Sequence, residues 1–414
     1  MRTYPNDDPE TAAKKIANDL SNGKKKKDKD NDQENEEHLP EFFTYKYSRP
    51  FLHEAAIVGG LPYFISYAHR FDKILTFETI DEPPSRALVP PCREEYPYTP
   101  YEFVNEEQLQ RYLEIAKHES IDSVYQKAKS IVKKYIDQDE HKLNLLAIDI
   151  IWSYFQDKFG TTHYIAVTGE NEGGKSSIGN MFEAIAYRVL NMTSPTAANI
   201  FRVLGLIEAG QCTLVLDESE RVSDDPDIMA ILRSGYDITK RVPKTNNNTW
   251  KQEWFFVYCI KIIIGEKSPN KLKAKGLLDR TLLLSAFPGD TELDIKEVTN
   301  QQERSPRLKK ALVELLDFRR LMLVYRLLHF EDFIPDLDVG VQRRNKELCK
   351  PYIRLFYGSQ AQAEVEQTFQ TFLDSKNTKK STSIEAILIP IIIGLVEEKG
   401  REVFSSEVWD YVKA

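Results

Sequence analysis

From about Glu41 to Thr99 the chain is written in short runs of Tyr, Phe, Ile and Val, punctuated by Gly and Pro. EAAIVGGLPYFISYA holds two apolar runs split by Gly59–Gly60, which predicts a β-hairpin, and KILTFETI adds a third strand. PPSRALVPP reads as a rigid loop. Helical spacing takes over at Asn105, an N-cap with Glu106 and Glu107 in the first turn. Two or three helices follow and end in KLNLLAIDIIWSYFQDKF, which is apolar around most of its circumference and should pack against a sheet. Between Tyr164 and about Pro288, apolar strands alternate with helical stretches, the text of a parallel α/β sheet. After Pro288 the pattern is helical again, through ALVELLDFRRLMLVYRLLHF and EVEQTFQTFLDS.

These changes divide the chain into six stretches. Residues 1–40 contain KKKKDKDNDQENEE, which has no apolar face to bury and reads as a disordered charged tail. Lys24–Lys27 invite a reading as a nuclear signal or DNA-binding arm, but the acidic residues directly after them cancel much of the field. Residues 41–104 form a small β-rich module, 105–160 a helical segment leading into the core, 161–290 the α/β core, and 291–378 a helical, lid-like region. Residues 379–414 hold a helix followed by a capped helix, like the opening of a winged-helix fold, and stop before any recognition helix, as a truncated chain would. No internal repeat is visible.

Composition narrows the function classes. The 414 residues carry a net charge of −8, which argues against a wholesale basic coat for nucleic acid while leaving room for a local basic groove. Cys92, Cys212, Cys259 and Cys349 are far apart and none is in a C-x-x-C pair, so they read as reduced thiols in a cytoplasmic protein with no zinc site. The longest apolar stretch, Ala386–Val396, is too short to cross a membrane and contains Pro390; a buried helix is expected there.

The candidate chemistry begins at GENEGGKS, residues Gly169, Glu170, Asn171, Glu172, Gly173, Gly174, Lys175 and Ser176, which matches G-x-x-x-x-G-K-[ST]. It follows the apolar strand YIAVT and opens the helix that begins with Ser176 and Ser177, the context the motif needs. Backbone N–H groups of such a loop cradle the β- and γ-phosphates, Lys175 neutralises their charge, and the Ser176 hydroxyl ligates Mg²⁺. The expected substrate is ATP with Mg²⁺. About forty residues later, TLVLDE ends an apolar strand on two carboxylates. Asp217 is expected to hold the metal, and Glu218 to orient and deprotonate the attacking water. Arg280 lies between two apolar runs in GLLDRTLLLSAFP, where an arginine at a subunit boundary would reach a neighbour's γ-phosphate. The Arg343–Arg344 pair, on a later helical segment, offers a further phosphate contact through Arg344.

Between the second and third core strands, Lys240, Arg241, Lys244 and Lys251 interleave with Tyr236 and Trp250. Cations for phosphates and rings for stacking suit single-stranded nucleic acid; a solvated hairpin with no partner has the same composition.

Taken together, TAANIFRVLGLIEAGQCTLVLDESERV, MAILRSGYDITKRVPK and LLDRTLLL resemble the AAA+/superfamily-3-like ATPase domain of phage and plasmid primase–helicase proteins, over roughly Leu143 to Lys350. That resemblance implies an α/β P-loop NTPase core of the ASCE, AAA+-like type, with the β-rich module before it and helices after it. It further implies a homo-oligomer, expected to be a hexamer, that couples ATP hydrolysis to work on DNA, with a primase or another replication protein as partner. In ATPases of this kind a polar side chain after the third strand contacts the γ-phosphate; Glu266, Ser268 and Asn270 are the candidates, and the sequence does not choose among them. Two departures stand out. No primase domain is recognisable upstream, and the loop reads ENEGGKSS where a shorter Gly/Ser pattern is usual. The rival readings are an ATP-driven switch acting on a protein without DNA, and a small-molecule kinase, which would need neither Glu218 nor Arg280.

Overall fold

The computed structural model describes residues 47–48, 51–82, 86–170, 173–204, 207–218, 225–245, 251–266, 275–300, 304–332, 334–336 and 344–381, with four more between 392 and 396. All belong to one contact unit, Glu41–Ala414. The charged tail at 1–40 and nearly all of the winged-helix-like segment lie outside the described residues. Most of the stretch Ala386–Val396, where a buried helix is expected, lies outside the described residues; of the four described, Leu395 is buried and Ile392, Ile393 and Val396 are exposed.

The first described strands are short: β1 (Tyr47–Ser48) pairs with β2 (Phe51–Leu52). The hairpin predicted around Gly59–Gly60 is β3 (Glu54–Val58) and β4 (Leu61–Ala68), and β5 (Lys73–Phe77) extends it. Next, β6 (Ile80–Glu82) pairs with β7 (Arg86–Leu88). The second of these corrects the rigid-loop reading of PPSRALVPP. Three residues between prolines carry too little alternation to announce a strand, and β6 supplies the ladder partner. Finally β8 (Glu102–Phe103) joins the edge of β3 in parallel.

Three helices lead to the core. In α1 (Glu106–Lys117), the Asn105 side chain accepts from the Gln108 backbone N–H at 2.8 Å, the cap the sequence announces. Helix α2 (Ile121–Tyr135) starts on a Ser120 cap. Nearly all of α3 (Glu140–Ser153) is buried, as its apolar circumference requires.

The core sheet contains β9 (Tyr164–Thr168), β10 (Val189–Thr193), β11 (Thr213–Asp217), β14 (Lys261–Gly265) and β15 (Thr281–Ser285), all parallel, in the order β10-β11-β14-β9-β15. The two strands not in this sheet, β12 (Arg241–Thr245) and β13 (Gln252–Phe256), form a separate antiparallel hairpin. Helices α4 (Lys175–Ile185), α5 (Ala197–Leu204), α6 (Pro226–Ser234) and the short α7 (Lys275–Leu278) connect the core strands. Beyond the sheet come α8 (Ile295–Asn300), α9 (Pro306–His329), α10 (Arg344–Leu355) and α11 (Gln362–Ser381). The chain is an α/β P-loop NTPase fold with a small β-rich module before the sheet and helices after it.

Strand alternation divides the core. Ile165, Val167, Val215, Ile262, Ile264 and Leu284 face one way, into a cluster with Ile178 and Phe182 of α4 and with residues of α3 and α9. Tyr164, Leu214, Leu216 and Ile263 face the other way, against Ile200, Phe201 and Leu204 of α5 and Ile231 and Leu232 of α6. A sheet buried on both faces needs runs that are apolar throughout, which is how these strands read.

A fully buried ionic cluster ties the β-rich module to this core. Glu54 of β3 accepts from Arg188, at the entry to β10, at 2.6 Å and from Arg326 of α9 at 2.7 Å. Arg326 also pairs with Asp157 at 2.6 Å, and Tyr187 donates to Glu54 at 2.9 Å. Two carboxylates balance two guanidinium groups, so the cluster is neutral while complete. Glu54→Ala is expected to lower stability by about 3–5 kcal/mol, because removing one partner leaves buried charge uncompensated. The urea midpoint would show it; a change below about 1 kcal/mol would mean that the cluster relaxes or hydrates.

Candidate nucleotide site and basic hairpin

The phosphate-loop motif lies at the carboxyl end of β9, where an open parallel sheet binds its ligands. Asn171 and Glu172 lie outside the described residues. Gly169 is pressed against the residue after β15: a Cβ there would stand 2.5 Å from the Ala286 carbonyl oxygen. The Ala286 N–H in turn donates to Thr168 O at 2.7 Å, so the exit of β15 clamps the start of the loop. Gly174 has φ +75°, a left-handed turn into α4 that side chains rarely adopt. Lys175 is the first residue of α4, and its Nζ donates to the carbonyls of Gly169 and Glu170, both at 2.7 Å. Ser176 and Ser177 follow in the first turn, half-buried. An anion at this position would meet a helix N-terminus and an ammonium already folded over the loop.

Asp217 ends β11 at the same edge of the sheet. Since β14 lies between β9 and β11, the loop and the carboxylates are separated by two strand spacings, about 9.6 Å. That gap matches the depth of a phosphate chain with a hydrated ion better than direct contact. Asp217 is half-buried and Glu218 exposed. Glu218 has φ +53°, uncommon for a residue other than glycine, and its N–H donates to Asp217 Oδ1 at 2.9 Å.

Ser194, which the sequence reading passed over, holds the other end of Glu218. Its hydroxyl donates to Glu218 Oε2 at 2.7 Å, its N–H donates to Asp217 O at 3.0 Å, and its own φ is +48°. The available signal was a polar residue directly after the apolar strand β10 and before Pro195. A hydroxyl oxygen at Ser176 and a carboxylate at Asp217 are the hard donors that Mg²⁺ takes. No cluster of three or more metal-ligating side chains occurs among the described residues. Mg²⁺ normally keeps several waters and uses only one or two carboxylates, so this donor set fits it.

A cavity of about 210 Å³ adjoins the first turn of α4 and is lined by Gln138, Gly174, Ser177, Phe287, Gly289 and Ile295 among others. Its walls are fixed from two sides. Gln138 donates to Phe287 O at 2.7 Å, and Asp137 accepts from the Asp290 N–H at 3.0 Å. The exposed Phe287 ring has the Lys142 ammonium 4.5 Å from its centre. Gly174 and Ser177 belong to the motif and the turn after it, whereas Gln138, Phe287 and Gly289 come from loops that no motif marks, so the sequence reading did not find them.

The other candidates are dispersed. Glu266 follows β14 at the same edge and is exposed; Ser268 and Asn270 lie outside the described residues. Arg344 opens α10, and its side chain is not described. Arg280 stands at the entry to β15, because Thr281 is in register with Tyr164 and Ser285 with Thr168. It is therefore about four strand residues, or 13 Å, from the loop edge, on the opposite side of the sheet.

The basic segment between α6 and β14 is a real hairpin whose tip, including Trp250, lies outside the described residues. Pairing of Arg241 with Phe256 and of Pro243 with Trp254 places these four on one face. Arg241 stacks on Phe256 at 4.2 Å, and Trp254 is 56 % exposed. Trp254 is a second residue the sequence reading missed. Lys244 turns to the opposite face, over Phe201 at 4.6 Å and 3.6 Å from Asp227. Lys240 and Lys251 are exposed. Partial burial works to raise the Tyr236 phenol; the hydrogen bonds and charges of Lys240 and Arg280 outweigh it and hold the group below its ordinary value.

Among the described residues no helix is long and apolar enough to cross a membrane. No family model and no curated protein matches the chain. Solved structures do. The apo A form of the NrS-1 C-terminal region aligns at 11 % identity and a TM-score of 0.34, over 86 % of this chain and 82 % of that one. The JCV helicase, solved with a thiazolopyridine compound, aligns at 14 % and 0.26, over 66 % and 69 %. The active helicase Cch of SCCmec type IV aligns at 12 % and 0.39, over 86 % of this chain and 64 % of that one.

Proposed function

We propose that the chain is a Mg²⁺-dependent ATPase that couples hydrolysis to movement on DNA, working as a ring-forming oligomer. The observation that carries the ATPase reading is the shared edge: the loop at Gly169–Ser176 and the pair Asp217/Glu218 leave the sheet on the same side, one strand apart. In that arrangement Lys175 and the N–H groups of the loop would hold the phosphates. Ser176 and Asp217 would hold Mg²⁺, which when bound neutralises phosphate charge. Glu218 would take the proton of the attacking water. Phe287 and the cavity beside Ser177 would receive the base. Ser194 would hold the Glu218 carboxylate in place before the water is attacked.

Preference for DNA over a protein switch rests on the hairpin. Its outward face offers an exposed Trp254 and the Arg241 guanidinium, a ring to stack on and a cation for phosphate. Arg280 favours an oligomer, since from the entry of β15 it faces away from its own loop and would serve a neighbour's nucleotide. Hexameric size and a primase or other replication partner remain part of this proposal, by the resemblance noted above.

The decisive assay is ATP turnover with and without single- and double-stranded DNA. Wild type is expected to accelerate severalfold with single strands. Glu218→Gln should retain nucleotide and lose turnover by about a hundredfold or more. Turnover that depends on Glu218 but ignores DNA across a range of salt would replace the motor with the protein-switch reading. Trp254→Ala should weaken single-strand binding by about 1–3 kcal/mol if a base stacks there, read by fluorescence anisotropy. Gly169→Ala should weaken binding of a fluorescent ATP analogue by at least about tenfold, because the added Cβ displaces the loop from Ala286; unchanged affinity would show that the loop does not hold phosphates in this geometry.

A further inference from the structure

We infer that Tyr236 is a positioning residue that couples nucleic-acid occupancy of the β12–β13 hairpin to the arginine at the entry of β15. The inference rests on the proposed function and deepens it. Tyr236 sits in the turn between α6 and β12, and its backbone has little freedom. Its carbonyl accepts from Thr162 N at 2.9 Å, and the preceding Gly235 carbonyl accepts from Cys259 N at 3.3 Å. The buried Lys261 ammonium also donates to Gly235 O, at 3.3 Å, and a Cβ on Gly235 would stand 2.2 Å from Val257 O. The turn is locked from two strand entries, those of β9 and β14, so the side chain is the part able to respond.

That side chain joins two cations that belong to different tasks. The Arg280 guanidinium lies over its ring, 4.2 Å from the centre. Lys240, directly before β12, donates to the same hydroxyl at 2.8 Å and stands 4.6 Å from the ring centre. Asp237 holds Lys240 from the other side at 3.7 Å. Lys240 is 43 % exposed, so a phosphate can reach it without rearranging the fold.

Two cations converging on one phenol repel each other, and Lys240 holds its oxygen. A backbone phosphate bound at the base of the hairpin draws the Lys240 ammonium off the hydroxyl. The hydroxyl is then released from Lys240, and the repulsion between the two cations is neutralised. The guanidinium settles in one orientation on the ring, pre-organised for charge on a neighbouring copy's nucleotide. No covalent step is involved. The energy available is that of one charge-assisted hydrogen bond and a partly screened repulsion, enough to alter a rate severalfold.

The test compares wild type with Tyr236→Phe and Tyr236→Leu in the full chain, using a labelled oligo-dT for binding and ATP turnover for coupling. Tyr236→Phe is expected to cut the ratio of DNA-stimulated to unstimulated turnover by about threefold or more, with the KM for ATP and the oligo-dT affinity each within about twofold of wild type. Tyr236→Leu, which removes the ring as well, should lower stimulated kcat further than Tyr236→Phe. Thermal melting checks that both variants fold, and Tyr236→Phe preserves the packing if Tyr236→Leu does not. An unchanged stimulation ratio in Tyr236→Phe overturns the coupling, as does a loss of oligo-dT affinity in proportion to the lost stimulation, which would make Tyr236 a simple contact. Wild type that binds oligo-dT without faster hydrolysis also overturns it. Wild type that binds no oligo-dT overturns the proposed DNA-motor function itself, and the coupling with it.

Discussion

All five core strands run in one direction, and the positions of the candidate groups follow from that constraint. Parallel pairing sends every carboxyl end to one edge and every entry to the other. The phosphate loop after β9, the carboxylates after β11 and Glu266 after β14 therefore share an edge, although about fifty residues separate each from the next. The same rule puts Tyr236, Lys240 and Arg280 at the opposite edge, where the chain re-enters the sheet. An edge that carries the phosphate-loop motif and an edge that carries the hairpin result, joined through the strands and the helices that connect them. An arginine at the second edge is too far to reach the first in its own chain, which is why the proposed function gives its target to a neighbouring copy.

The entry edge also carries several buried charges. Arg188 before β10 and Lys261 at the start of β14 are fully buried there, and the Asp157 side chain before β9 is nearly so. Their charges are met by Glu54, by backbone carbonyls and by Arg326 respectively. Burying such groups is costly unless each finds its partner, so the pairing selects one docking of the β-rich module and of α9 against the sheet. Hydrophobic packing alone would leave that docking less specific, since β3 and α9 offer broad apolar faces. The turn carrying Tyr236 inherits its rigidity from Lys261. The hairpin therefore projects from a fixed base.

Backbone strain gathers at the edge that carries the phosphate-loop motif. Gly174, Ser194 and Glu218 all have positive φ, and the latter two pay for it without the excuse of a missing Cβ. Their side chains hydrogen-bond each other, so the strain is shared between two adjacent strand ends. Such geometry persists because β10 and β11 pair in register up to Thr193 and Asp217. The carboxylate, although exposed, is thus held by the end of a neighbour strand, and its orientation is a property of the sheet.

The sequence by itself determined the parts whose cause is local. The apolar runs of β9, β11 and β14, the Asn105 cap and the Gly59–Gly60 hairpin each depend on neighbours in the chain, and so does the glycine and lysine spacing of the loop. Tertiary structure alone decided what depends on distant partners. Arg86–Leu88 became a strand because Ile80–Glu82 lay alongside it. Ser194, Phe287 and Trp254 gained their places from strand ends and pairings far from any motif. The opposite placement of Arg280 and Lys175 follows from the parallel pairing of β15 with β9, whose direction the strand–helix alternation implies but whose partner and register only the fold sets. Hydrogen-bonding register and packing are set between segments, so the residues they bring together become visible only once the segments meet.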